Sequence, residues 1–307
     1  LDDLAPRATA GGLLGPVVVT DEAGRARRRA VAHRREVVAA FQHHDRPAGL
    51  RLLEVAGAAR AAGVPSALVN AGWQANGEDY AAAARAFDLV SARDSLSAAE
   101  LRAAGIDCRV VPDLSLTTAP PPAVARAGIG VTDSVDRDVA LSLSRLRRTL
   151  GAATVSIHER PHGFRGWWRF QRAILGKRDL ARPLGAWGRL SARREQLGAS
   201  GGSLEAFVTG LAGLGLLVSG RFHACTLALV AGTPFVAAGT NSHKISALVK
   251  DAGLAAWRAG PLPDPAGLAE AARAGWSATE QSAVAAYVAQ ARHEARTLFH
   301  DLGQLAA

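Results

Sequence analysis

The chain has 307 residues, more than one hydrophobic core usually serves, and its 49% apolar and 21% charged content is that of a globular protein of about two domains. The net charge of +9 comes almost wholly from arginine, yet aromatics are only 5% and no basic face with interleaved aromatics is visible, which argues against a nucleic-acid binder. No run reaches the 18 apolar residues of a membrane span, no signal-peptide pattern is visible, and Cys108 and Cys225 sit in element-like stretches without metal-ligand spacing, so neither a disulfide framework nor a resident metal is expected and a cytoplasmic protein is.

In chain order the first half alternates strand and helix. Residues 36–41 are a short β-branched and apolar run, 48–62 have helical periodicity, 66–71 read as a strand, and 78–87 as an Ala-rich helix. Residues 89–92 then predict a strand and 97–104 a helix, with Ser97 and Glu100 in capping-box spacing, and 109–111 are again strand-like. Such alternation means parallel βα units, so the loops that follow the strands gather at one edge of the sheet. They carry His43, His44 and Asp45, then Trp73 and Asn76, then Arg93 and Asp94, then Asp113. Trp73 and Asn76 suit stacking on and hydrogen bonding to a sugar, as they suit packing; the His43, His44 and Asp45 cluster suits acceptor binding or proton transfer, as it suits a polar loop. Asp94 and Asp113 offer a proton acceptor or a helix cap.

Pro120, Pro121 and Pro122 break the pattern and mark a linker over residues 119–128. A second α/β series follows. A strand over 129–132 ends at Asp133 and Ser134, 138–150 read as a helix, and 153–157 as a strand ending at His158; Asp133, Ser134 and His158 suit donor-site lining as they suit helix caps, and 204–214 resume as a helix. The run 215–219 is a strand, and Gly220, Arg221, Phe222 and His223 open the helical stretch behind it. A helix start offers unpaired N–H groups and a positive dipole end, to which Arg221 adds a fork of donors suited to carboxylate or phosphate, and His223 can move a proton near neutral pH. The next strand, 234–238, leads through Ser242 and Lys244 into a helix over 245–254, so both junctions fall on the carboxyl edge where open α/β sheets bind ligands. Residues 277–304 are helical by periodicity. The expected organisation is an N-terminal α/β domain over 1–118, the linker, a C-terminal α/β domain over 129–276, and a helix over 277–307 packing back toward the N-terminal domain. Two Rossmann-like parallel-sheet domains joined by a Pro-rich hinge suggest a GT-B-like arrangement.

Four motifs in order, Leu89 to Ser97 with its Arg-Asp pair, Val110 to Asp113, Val218 to Ala224 with its Arg-x-His, and Gly232 to Phe235 followed by Ser242 to Lys244, give the chain its family likeness. Over about residues 35–255 it resembles the polysaccharide pyruvyl transferase family. That resemblance implies a GT-B-like transferase without a bound metal, needing no cofactor, that moves a pyruvyl group from phosphoenolpyruvate to a sugar of a cell-surface polysaccharide or its lipid-linked precursor, often as a cyclic ketal. It implies that Arg93, Arg221 and His223 serve donor binding and catalysis, with Lys244 a further basic group there. Arg93, Arg221, Ser242 and Lys244 are the expected donor-binding residues, His223 and Asp94 the expected catalytic ones, and the N-terminal domain the expected acceptor side. The Gly-Asn-x-Gly-Asp signature that opens the family is absent, and Ala39, Ala40, Phe41 and Gln42 stand where many members have a Gly-rich turn. The chain opens on Leu1 and contains no Met, so that absence carries little weight. A nucleotide-sugar-dependent GT-B glycosyltransferase and a non-catalytic binding module remain the alternatives.

Between Glu159 and Gln196 ten Arg or Lys stand against three acids, with Trp167, Trp168 and Trp187 among them. Such a segment suits peripheral contact with an anionic membrane at its inner face, or a solvated lid packed by its own tryptophans. Co-sedimentation with anionic vesicles separates the two. Binding at low salt that disappears when the ten cations are neutralised is the expected outcome for a membrane contact, and absence of binding for a lid.

Overall fold

Described in the computed structural model are residues 40–42, 46–157, 203–239 and 242–305. They form two units, one holding the residues up to Thr117 together with those from Val288 onward, the other Thr118–Tyr287.

In the N-terminal unit, β1 (Ala40–Gln42), α1 (Arg46–Ala61), β2 (Ala67–Gln74), α2 (Glu78–Ala84), β3 (Leu89–Ala92), α3 (Ser95–Ala103) and β4 (Arg109–Val110) alternate, and the four strands lie parallel in the order β1-β2-β3-β4. Strand β2 is buried on both faces and its register slips between Leu68 and Ala71, three steps against two in β3. The extra residue changes which side chains share a face. Leu68 would otherwise align with Asn70 and Gly72, but it packs with Ala71, Trp73 and Tyr80 in one core, while Ala67 and Val69 pack in another. Asn70 sits in the bulge at φ +58°, a conformation its short polar side chain tolerates. Its N–H donates to Ser91 Oγ at 3.2 Å, and its Oδ1 accepts from Leu114 N–H at 3.4 Å.

Pairing with β1 carries β2 on through Trp73 and Gln74, which corrects the loop expected there. Trp73 is 2% exposed, its ring edge-on to Tyr80 at 6.1 Å. Helix α3 likewise starts earlier than its pattern suggests. Asp94 is the cap, accepting from Ser97 N–H at 2.7 Å, and Ser97 Oγ instead accepts from Trp73 N–H at 2.9 Å while Glu100 accepts from Ala75 N–H.

The C-terminal unit contains β5 (Ala127–Ser134), α4 (Arg137–Leu150), β6 (Ala153–Thr154), α5 (Leu204–Ala212), β7 (Leu214–Gly220), α6 (Phe222–Val230), β8 (Phe235–Ala238), α7 (Lys244–Asp251), β9 (Ala259–Gly260) and α8 (Pro265–Ala274). Its five strands are parallel in the order β6-β5-β7-β8-β9. Strand β5 starts at Ala127, so it takes in residues assigned to the linker, and Asp133 and Ser134 belong to it rather than follow it. Leu143 of α4 and Leu268 of α8 join Val131, Leu216, Val218 and Val236 in one core. Helix α6 is buried from Ala224 to Val230, which explains why its sequence is apolar all round.

Helix α9 (Ala278–Leu305) crosses the division between the units. It opens with a capping box, Ser277 Oγ accepting from Glu280 N–H and a Glu280 oxygen from Ser277 N–H. Farther on, Ala295, Leu298 and Leu302 pack with Val69, Val111 and Leu114 of the N-terminal unit. Arg258, 2% exposed, fixes the helix start to the C-terminal unit: Nε donates to Glu280 Oε1 at 2.5 Å, Nη2 to Oε2 at 2.8 Å and Gly275 O at 3.0 Å, and Nη1 to Phe235 O at 3.2 Å. The guanidinium also stands 4.4 Å from the Trp276 ring centroid.

The hydrogen bonds from Arg258, more than the other contacts, hold the Glu280 carboxyl down at about 2 from an ordinary 4.5. A lowered carboxylate pKa stabilises the fold above the ordinary value, and that stabilisation is lost as pH falls toward about 2. Replacing Glu280 by Gln is expected to cost about 3–5 kcal/mol at neutral pH, since it leaves a buried guanidinium without its counter-charge. Thermal melts of both proteins across pH should show the gap narrowing between 4.5 and about 2.

Candidate functional site

In the C-terminal unit the strand order reverses between β5 and β7. Beyond such a reversal the helices diverge to opposite faces of the sheet and the carboxyl ends of the two strands leave a crevice, the usual ligand site of open α/β folds. Strand β5 carries a bulge there, with three steps from Val131 to Ser134 set against two from Val218 to Gly220. Arg221 follows β7 and reaches back across the crevice. Its Nε donates to Asp133 Oδ1 at 2.7 Å and its Nη2 to Oδ2 at 2.5 Å, a side-on fork between side chains 19% and 13% exposed.

The backbone beneath the fork is equally constrained. Arg221 N–H donates to Ser219 Oγ at 3.0 Å, and Gly220 N–H donates to Thr132 Oγ1 at 3.0 Å. A Cβ on Gly220 would stand 2.6 Å from Ser134 Cβ and 2.7 Å from Asp133 O, so only glycine lets the strands approach this closely.

Arg221 is the N-terminal boundary of α6, and His223 is the helix's second residue, partly buried with its ring edge-on to Phe222 at 5.3 Å. Strand β8 pairs with β7 in register, Ser219 opposite Ala237, so the segment Ser242, His243 and Lys244 leaves the same edge one strand away and opens α7, which touches α6. All three residues are partly buried. The N-cap residues of α6 and α7, Arg221 and His243, make no side-chain cap bond of their own, whereas Asp136, Ser203 and Asp264 cap α4, α5 and α8 of the same unit. Two neighbouring helices thus start beside Arg221 and Lys244 with their positive dipole ends at the same edge, an arrangement suited to an anion with two charged groups.

The N-terminal unit arranges its own arginine differently. Arg93 follows β3 and is 3% exposed, its guanidinium laid against Gly72, where a Cβ would meet Nη2 at 2.6 Å. Asp94 Oδ2 and Asp113 Oδ2 each stand 3.8 Å from it. Burial pulls the Arg93 pKa down, and Asp113, then Asp94, oppose that pull. Asp94 is itself 2% exposed and caps α3, and Asp113 Oδ1 accepts from Ser115 N–H at 3.0 Å. Both acids therefore serve local structure. Asn76 is partly buried between β2 and α2, whereas Trp73, the other residue suited to a sugar, lies in the core. His43, His44, Asp45, His158 and the basic segment from Glu159 to Gln196 lie outside the described residues.

A family model for polysaccharide pyruvyl transferases matches residues 41–242, well over half of the chain. The chain belongs to the polysaccharide pyruvyl transferase family. No curated protein matches it. The match takes in Arg93, Arg221 and His223 and ends at Ser242, leaving Lys244 just beyond it. Membership of the pyruvyl transferase family makes the protein a transferase in class. Among the described residues no helix is long and apolar enough to cross a membrane, and no cluster of three or more His, Cys, Asp or Glu could hold a metal ion.

Two features of this carboxyl edge escape a reading of residue types: the pairing of Asp133 with Arg221 and the close approach at Gly220. Gly220→Ala is expected to destabilise the protein by about 1–3 kcal/mol, the usual cost of overpacking. Gly57→Ala, in α1 with nothing within 4 Å of the added Cβ, should instead stabilise it by about 0.5–1 kcal/mol. Denaturant titration of both variants checks the opposite signs.

Proposed function

We propose that this transferase moves a pyruvyl group from phosphoenolpyruvate to a sugar of a polysaccharide or its lipid-linked precursor, closing a ketal over two hydroxyls. The pair of neighbouring helix starts behind Arg221 and at Lys244 is the observation that supports the reading most. Phosphoenolpyruvate carries a carboxylate and a phosphate, and a fork of arginine donors, a lysine and two helix ends match two anionic groups on one small molecule. Ser242 adds a hydroxyl donor at the same edge.

The chemistry then asks for little beyond orientation and proton transfer. A proton is added to the methylene carbon of phosphoenolpyruvate, making it a methyl and leaving the neighbouring carbon cationic. A sugar hydroxyl attacks that carbon and loses its proton. A second hydroxyl then displaces the phosphate, which departs with the bridging oxygen and takes up a proton, and the ring closes. His223, in the first turn of α6, is the group that moves protons in these steps. No further cofactor enters this scheme. The buried Arg93, Asp94 and Asp113 cluster gives the acceptor-side unit a rigid carboxyl edge, from which His43, His44, Asp45 and Asn76 are the candidates to meet the sugar.

Arg221→Ala is expected to abolish phosphoenolpyruvate binding in calorimetry. His223→Ala should retain most of that binding and lower phosphate release by about 10²–10⁴-fold, the usual weight of a positioned acid or base. Binding of a nucleotide-sugar in place of phosphoenolpyruvate would replace this reading with glycosyl transfer.

A further inference from the structure

We propose that Asp133 is a positioning residue, holding the Arg221 guanidinium in the orientation in which it receives the donor's anionic group. The inference rests on the donor site proposed above and adds to it a residue that the chain's motifs do not mark.

Three observations carry it. First, the fork is side-on: Asp133 meets Nε at 2.7 Å and Nη2 at 2.5 Å, and two parallel bonds fix the plane of a guanidinium as well as its position. A single contact would leave the plane free to turn about the last side-chain bonds. Second, Asp133 lies within the β5 bulge, between Val131 and Ser134, where the extra residue breaks the ordinary alternation. Bulges beside ligand sites commonly re-aim one side chain. Third, both ends of the fork are anchored in the backbone. Ser219 takes the Arg221 N–H, Thr132 takes the Gly220 N–H, and the two hydroxyl oxygens stand 3.1 Å apart. Orientation set in this way is already in place before a ligand arrives, which lowers the ordering cost of binding.

A pair that only stabilised the fold would affect melting and leave donor affinity, per folded molecule, where it was. A positioning role makes a different claim, that removing Asp133 weakens donor binding and that it does so through Arg221. The carboxylate's own charge repels an anion, so if electrostatics alone mattered Asp133→Asn would bind phosphoenolpyruvate more tightly.

The test is a double-mutant cycle read by calorimetry with phosphoenolpyruvate, together with the ¹⁵N spectrum of the arginine Nε–H groups. Asp133→Asn is expected to weaken phosphoenolpyruvate binding on the order of tenfold, the weight of a lost charge-assisted hydrogen bond, and to have under a twofold effect in the Arg221→Lys background, which keeps a cation and a measurable affinity but has no guanidinium fork to hold. The Arg221 Nε–H signal, assigned by its loss in Arg221→Lys, should be protected from exchange in the wild type and broadened in Asp133→Asn. Should Asp133→Asn fail to fold, Asp133→Glu, which displaces the carboxylate by one methylene, gives the same readings. Unchanged or tighter binding by the Asp133 variant, an equal loss in both backgrounds, or an unaltered Nε–H signal would overturn the proposal. Inorganic phosphate is the second probe. A wild type that responds to phosphate at the Arg221 signal but not to phosphoenolpyruvate sinks the pyruvyl reading and leaves the role of Asp133 standing, and a response to neither sinks both.

Discussion

Everything at the carboxyl edge of the C-terminal sheet depends on how closely β5 and β7 approach at their ends. Gly220 has no room for a Cβ against Ser134 and the Asp133 carbonyl, and this contact brings the two strands near enough for one carboxylate to take two guanidinium N–H groups across the gap. Strands that splayed by an ångström there would still form a sheet and a core, but Arg221 would swing as an ordinary surface side chain. The apolar body of the unit is therefore permissive, and the geometry of the site is set by a few polar and glycine positions at its rim.

The two units meet the same constraint in different ways. Each carries a parallel-strand bulge next to an arginine that follows the neighbouring strand: Asn70 beside the Arg93 edge, Thr132 and Asp133 beside Arg221. In the N-terminal unit the arginine is sealed against Gly72 with carboxylate oxygens of Asp94 and Asp113 at 3.8 Å. In the C-terminal unit it is half-open and directly bonded.

Much of this was legible in the sequence, because periodicity and junctions are local. The strand over residues 89–92 and the passage from 215–219 into a helix at Arg221 follow from apolar runs that end in Arg, Asp or Gly. What the sequence hid comes from single-residue events in the backbone. The bulge at Asn70 carries Trp73 from an expected loop into the core, and nothing in Gly-Trp-Gln announces it. The burial of Arg93 is not legible either, because the space it occupies is made by the absence of a side chain on Gly72, on another strand. The Asp133 pairing is non-local by 88 positions, beyond the reach of any pattern in β5 alone.

Helix α9 has a consequence for the order in which the protein is made. Val69 of β2 and, beyond the end of β4, Val111 and Leu114 form an apolar surface of the N-terminal unit that is closed by Ala295, Leu298 and Leu302. On the ribosome the first unit emerges with that face bare, and it stays bare until the whole of the second unit has been synthesised, a delay of roughly 10–30 s at ordinary elongation rates. The N-terminal unit is thus the first to be translated and the last to be completed, and during that interval its exposed valines and leucine offer a surface for a chaperone.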